Sequence, residues 1–65
     1  MFVVRMTKRG HERAAYLKRW DPPRFVFGPS RAFALELDGT EAVAAVQALR
    51  EAQRDPTIRY ATEGA

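Results

Sequence analysis

Residues 37–56 read LDGTEAVAAVQALREAQRDP and contain the strongest structural signal in the chain. Asp38 can cap the start of a helix, and Glu41, three residues later, completes a capping box. Apolar residues then recur at the spacing of one buried helical stripe: Ala42, Ala45, Val46, Leu49 and Ala52. Because the residue before a proline avoids the helical conformation, Asp55-Pro56 ends the pattern. The stretch predicts a helix over residues 39–54 whose stripe packs on a sheet.

Segments on both sides of this helix have the character of β-strands. Residues 2–7 alternate apolar and polar side chains, which is typical of a half-buried strand. A polar turn that contains Gly10 joins them to a second strand over residues 13–20. Residues 24–27 and 57–62 are shorter strand candidates.

The second strand does not reveal which of its faces is buried. Ala15 and Leu17 lie on one face of a regular strand, and Tyr16, Lys18 and Trp20 lie on the other. Since both faces carry apolar bulk, either can face the core.

Two breaks and one ambiguous segment lie between the second strand and the helix. Asp21-Pro22-Pro23 ends the strand because proline has no N–H to donate to a ladder. Gly28-Pro29-Ser30 is the second break. Residues 31–37 fit two conformations: their apolar residues alternate as in a strand, whereas Ser30 can cap a short helical turn.

The order of elements is β-β-(β)-α-β, which indicates an α+β fold. A small, largely antiparallel sheet of three or four strands with one helix packed on one face buries this set compactly. We therefore predict a single domain over residues 1–62 and a loose tail over residues 63–65.

Length and composition restrict how this domain is stabilised. The chain has 65 residues, no cysteine and one histidine, so it offers neither disulfides nor thiolate metal sites, and no cofactor is expected. A domain of this size buries only about 60% of the surface of its unfolded chain, and self-association as a homodimer is a natural reinforcement. Apolar runs are too short for a signal peptide or a membrane span, so we expect a cytoplasmic protein without a membrane partner.

Catalytic motifs are not evident. Ser30 is the only serine, His11 lies in a predicted turn, and nothing in their spacing brings them together. The four glycines are isolated and form no phosphate-binding loop. We predict a protein that is not an enzyme and has no small-molecule substrate.

Charge is distributed unevenly along the chain. Residues 1–31 contain eight lysines and arginines against two acidic residues, whereas residues 32–65 contain three arginines against six acidic residues. Such asymmetry can steer a charged partner. Candidate binding residues combine these cations with neighbouring aromatic rings: Arg9, Arg13, Lys18, Arg19, Trp20, Arg24 and Phe25.

These candidates permit two kinds of partner. Exposed aromatic rings beside arginines are common at protein interfaces, with Trp20 and Phe25 as the expected anchors for a protein partner or a second copy. Alternatively, the basic N-terminal hairpin binds nucleic acid through phosphate contacts and base stacking. The segment over residues 21–30 can also fold back and bury both rings within the monomer.

The order of several short motifs is similar to that of small phage- and prophage-encoded proteins. The motifs are Phe2-Val3-Val4-Arg5, Tyr16-Leu17 followed by Trp20, Ala34-x-x-Leu37, and Thr40-Glu41-Ala42 at the start of the helix. The resemblance implies an accessory or inhibitor protein that binds a host protein complex, such as a defence complex, as anti-CRISPR proteins do. A non-enzymatic interaction module is therefore the predicted function, with a small nucleic-acid-binding protein as the alternative.

Overall fold

The computed structural model describes residues 1–21 and 23–65, so the predicted break at Pro22 lies outside the described residues. Its elements are β1 (Phe2–Lys8), β2 (Ala15–Asp21), β3 (Arg24–Gly28), a 3₁₀ turn (Arg31–Phe33), α1 (Gly39–Ala52) and β4 (Ile58–Gly64). The helix lies between the third and fourth strands, which confirms the predicted α+β class.

The strands form one sheet in the order β3-β2-β1-β4, and every described pair is antiparallel. β1 pairs with β4 along its whole length, from Phe2 opposite Gly64 to Lys8 opposite Ile58. Its pairing with β2 is much shorter, because only residues 5 and 6 of β1 are in register with that strand. The two central strands therefore diverge towards the start of β1.

A segment before the helix fills the gap between the diverging strands. The N–H of Leu35 donates to the carbonyl of Leu17 in β2 at 2.8 Å. Leu37 and Phe2 exchange two backbone hydrogen bonds of 2.7 and 2.8 Å. These bonds satisfy backbone groups that the divergence would otherwise leave without partners.

Residues 31–37 thus combine the two conformations that the sequence permits. The Ser30 side chain accepts a hydrogen bond from the N–H of Ala32 at 3.2 Å and caps the 3₁₀ turn. The chain is extended again at Ala34 and reaches the bridge at Leu37.

The helix begins as predicted and ends slightly earlier than predicted. The Asp38 carboxylate accepts from the N–H of Glu41 at 2.8 Å, and the N–H of Asp38 donates to the Glu41 carboxylate at 3.3 Å. This is the complete capping box. At the other end, Gln53 already has an extended backbone, so α1 stops at Ala52 rather than Arg54.

The core lies between α1 and one face of the sheet. The helix packs over β1 and β4, and Val46 and Leu49 are buried as predicted. The buried cluster consists of Val4, Leu17, Leu37, Ala42, Ala45, Val46, Leu49 and Tyr60. Small side chains at Ala42 and Ala45 allow the helix axis to approach the sheet closely.

The C-terminus differs from the prediction of a loose tail over residues 63–65. Glu63 and Gly64 belong to β4 and are paired with Val3 and Phe2 of β1. The N–H of Ala65 donates to the Met1 carbonyl at 3.0 Å. Because β1 begins at the second residue of the chain, its pairing with β4 continues almost to the last residue.

Candidate interaction surface

The sheet has one face covered by α1 and an opposite face, here called the open face, that α1 does not cover. Near the start of β1 the 3₁₀ turn lies against this face, and Val3 is buried there. Val4 and Met6 of β1 point to the helix, so Arg5 between them points to the open face. In the strand register, Arg5 lies opposite Tyr16 on one side and Ala61 on the other, and these residues share its face.

A β-bulge in β2 decides which later residues reach the open face. The register with β3 shifts between Leu17 and Arg19, so the strand contains one extra residue there. Leu17 and Trp20 consequently both point to the helix side, and Arg19 points to the open face opposite Val26.

Five cationic side chains meet on the open face. Lys18, at the bulge, lays its alkyl chain over Gly28, where a Cβ atom would collide with the Lys18 side chain. The other four come from all four strands: Arg5, Arg19, Arg24 and Arg59. The predicted site residues Lys18, Arg19 and Arg24 are therefore brought together.

Two acids share the open face. Asp21 lies opposite Arg24 in the register of β2 and β3, and Glu63, at the other end, lies near two cations. Arg5 Nε lies 3.4 Å from Glu63 Oε2, and Arg31 Nε lies 3.9 Å from Glu63 Oε1. Arg31 also donates to the Gly64 carbonyl. The other four cations of the open face, Lys18, Arg19, Arg24 and Arg59, form no ion pair with any residue that the structure describes. Their charge is available to an anionic partner.

Trp20 and Phe25, the expected anchors, lie on the helix side of the sheet. Their rings stack with centroids 6.4 Å apart and an interplanar angle of 13°. Both are partly buried and pack against the core cluster. The rings extend the core beneath β2 and β3, where α1 does not reach, and they are separated by the sheet from the open-face cations.

Arg9 and Arg13 lie in the connection between β1 and β2, and Arg9 continues the ladder of β1 with β4 through a hydrogen bond from its N–H to the Thr57 carbonyl. Both side chains are exposed. Gly10 has a φ of 87°, a left-handed conformation that favours glycine, and the N–H of His11 donates to the Lys8 carbonyl at 2.9 Å. Arg9 thus lies on the same side as Arg5 and Thr7 and shares a hollow with Thr7 and Arg59 at the edge of the open face, whereas Arg13 is exposed in the loop.

Arg5 and Arg59 were missed as candidate site residues. Arg59 lies in residues 32–65, where acidic residues outnumber arginines, so the charge count along the sequence did not point to it. The signal that could have found it is local: Ile58 and Tyr60 share one face of a strand, so Arg59 must point to the other.

Two ionisable groups near the helix C-terminus have shifted pKa values. The hydroxyl and N–H of Thr57 donate to the Asp55 carboxylate at 2.7 and 2.9 Å and lower the pKa of that carboxyl below 3.8. Burial raises the pKa of the Tyr60 hydroxyl above 10.0, with a smaller contribution from the charge of Asp55. Asp55 belongs to the turn before β4, and Tyr60 belongs to β4, where it lies on the helix side of the sheet.

No arrangement for metal or nucleophilic chemistry is found in the described residues. They contain no group of three or more His, Cys, Asp or Glu side chains placed to hold a metal ion. The hydroxyl of Ser30 is engaged as a cap, and His11 lies in the β1–β2 connection.

The fold and the open face define a small α+β protein with a cationic sheet surface that α1 does not cover. In the described part of the chain, no helix is both long and apolar enough to cross a membrane. Comparison with family models, curated proteins and solved structures gave no match to this chain.

Proposed function

We propose that the chain is a non-enzymatic binding module whose open face binds an acidic surface of a protein partner. One observation carries this proposal: four cations from three strands share a face and have no ion-pair partner among the described residues. Concentrated charge of one sign accelerates the association of an oppositely charged surface and orients it.

The side chains between the cations favour a protein partner. Tyr16 is half-buried near the middle of the open face, and Val26 is 46% exposed beside Arg19. Interface cores are enriched in arginine and tyrosine, which combine apolar contact area with directed hydrogen bonds. The same mixture is less suited to single-stranded nucleic acid, because Tyr16 is the one aromatic ring that the described strand residues place on this face.

Duplex nucleic acid is the second candidate partner. The isoelectric point of about 10.0, together with the clustering of cations on one face, is the electrostatic signature of a protein that contacts phosphates. Binding of this kind relies on the backbone and loses affinity steeply as salt concentration rises.

The biological setting forms part of the proposal. The resemblance to phage- and prophage-encoded proteins supports an accessory or inhibitor protein that acts in the cytoplasm on a host protein complex. A small module with a charged face is suited to covering an acidic surface on such a complex, because it needs no catalytic group.

Two double variants with the same change in net charge test the proposal. Arg19→Glu with Arg24→Glu reverses charge on the open face. Lys8→Glu with Arg13→Glu, the loop variant, reverses it at the two ends of the β1–β2 connection and away from that face, because Lys8 lies opposite Ile58 on the helix side. Tagged protein is incubated with nuclease-treated bacterial lysate, and retained proteins are quantified by mass spectrometry. We expect the open-face variant to lose its partner by tenfold or more, and the loop variant to retain most of it.

Circular dichroism of both variants checks that the fold is intact. Equal retention by the two variants would contradict the role of the open face. Fluorescence anisotropy with a duplex DNA probe, measured in parallel at low and high salt, distinguishes the partners. Salt-sensitive DNA binding that only the open-face variant loses, without any protein partner, would replace the first candidate by the second.

A further inference from the structure

β4 is an edge strand of the sheet, and its outer edge pairs with no other strand in the described part of the chain. The N–H of Arg9 donates to the Thr57 carbonyl, and the N–H of Ala65 donates to the Met1 carbonyl. These two bonds show which residues of the β4 segment direct their backbone N–H and C=O groups towards β1. Odd-numbered residues from 57 to 65 turn their backbone groups to β1, and even-numbered residues turn theirs to the outer edge.

This edge retains several unpaired backbone groups. Arg50 on α1 reaches the Tyr60 carbonyl at 3.4 Å, and the N–H of Ile58 donates to the Asp55 carbonyl. In the part of the chain that the structure describes, the N–H of Tyr60 and both backbone groups of Thr62 have no hydrogen-bond partner. An exposed edge with free donors and acceptors is a template for another strand.

The sequence of β4 is complementary to itself in one antiparallel register. When the two copies of Ala61 face each other across a two-fold axis, Arg59 of each copy lies directly opposite Glu63 of the other. The pair of opposite charges therefore occurs twice. These are non-hydrogen-bonded positions, at which facing side chains are closest. In the same register, the outward backbone groups of Tyr60 face those of Thr62 and can exchange hydrogen bonds. Registers centred on Tyr60 or on Thr62 lose the opposition of Arg59 and Glu63.

The helix side of β4 also fits a second copy. A shallow groove between α1 and β4 is lined by Val43, Val46, Tyr60 and Thr62. Val43 is 55% exposed, although it is an apolar residue on a helix. A two-fold axis perpendicular to the sheet and midway between the two β4 strands brings both helices to the same side of the extended sheet, where the second copy covers this groove. The carbonyl of Tyr60 can accept from Thr62 of the second copy while Arg50 remains near, because a carbonyl oxygen has two lone pairs.

We propose that β4 pairs with β4 of a second copy in the antiparallel register centred on Ala61, which produces a continuous eight-stranded sheet. The charge complementarity of Arg59 with Glu63 identifies the occupant of this edge as the chain itself. A domain of 65 residues has a small free energy of unfolding. Dimerisation adds stability to such a domain, as disulfides do in other small proteins. The expected dimer interface is therefore the β4 edge and not the stacked rings of Trp20 and Phe25.

Sedimentation velocity over a range of concentrations tests the dimer. The wild-type protein is expected to sediment with twice the chain mass of 7.4 kDa at the upper concentrations. Arg59→Glu places like charges opposite each other at two symmetric positions and should weaken dimerisation by about tenfold or more. Combining Arg59→Glu with Glu63→Arg restores opposite charges and should recover most of that loss. Dimerisation recovers in the double variant only if residues 59 and 63 face each other, which happens in the register centred on Ala61.

Thr62→Pro provides an independent test at the backbone. The N–H of Thr62 points to the outer edge, so proline removes a donor from the dimer and none from the β1 ladder. We expect a folded monomer by circular dichroism and sedimentation. A wild-type protein that is monomeric at all concentrations would overturn the proposal, as would a dimer unaffected by Thr62→Pro and by Arg59→Glu. Thr62→Pro changes none of the open-face cations, so its result is independent of partner binding by the open face, whereas Arg59 belongs to both proposed surfaces.

Discussion

Truncation of Leu49 is the most direct test of how the helix is held on the sheet. Leu49 is 3% exposed and belongs to the cluster that joins α1 to β1 and β4. Leu49→Ala removes three carbon atoms, which at about 0.8 kcal/mol per carbon corresponds to about 2.4 kcal/mol of transfer free energy. The cavity left behind adds to this, so the total loss should be about 3–4 kcal/mol.

That loss is large relative to the stability of so small a domain. At about 0.05–0.15 kcal/mol per residue, a chain of 65 residues has a free energy of unfolding of about 3–10 kcal/mol. Urea denaturation followed by circular dichroism at 222 nm measures the change. Phe33→Ala is the control, because Phe33 is 74% exposed and its truncation should cost much less. If Leu49→Ala has the same midpoint as wild type, or if Phe33→Ala costs as much, the assignment of the core is wrong.

Two further predictions concern hydrogen bonds at the ends of the helix. Asp38→Ala removes both bonds of the capping box with Glu41 and should reduce the free energy of unfolding by about 0.5–2 kcal/mol, measured by urea denaturation; an unchanged midpoint would contradict it. Asp55 has a lowered pKa in the folded state, so its carboxylate stabilises the fold above pH 3.8, and this contribution is lost as pH falls through the folded-state pKa. Asp55→Asn keeps an acceptor for Thr57 but does not titrate, and thermal melts between pH 5 and pH 2 should therefore show a weaker acid dependence for the variant than for wild type.

The two proposed surfaces are compatible in one assembly. Pairing through β4 leaves the open face uncovered, because added strands extend a sheet within its own plane. In such a dimer the cations of both copies lie on the same side of the eight-stranded sheet. A bivalent cationic surface of this kind binds an extended acidic partner more tightly than either copy alone.

Local signals were sufficient to predict the helix and the class of fold. The capping box between Asp38 and Glu41 and the stripe through Val46 and Leu49 depend on residues three or four apart, so the sequence displays them directly. Alternation over residues 2–7 likewise predicted β1, whose observed range is Phe2–Lys8. The ends of these elements were less predictable. Residues 63–65 have the composition of a loose tail, and they are ordered only by pairing with β1, which lies about 60 residues earlier in the chain.

Only the tertiary structure decided which side chains form the cationic open face. The bulge between Leu17 and Arg19 moves Trp20 to the same face as Leu17, although regular alternation would place them on opposite faces. A bulge arises from the fit of one strand to its neighbour, and that fit is not encoded in the local pattern of either strand. The same holds for Arg59, which joins the open-face cations because β4 lies beside β1 and not because of its neighbours in the chain. Sequence therefore determined the elements and the overall excess of positive charge, whereas strand pairing between distant segments determined where that charge is displayed.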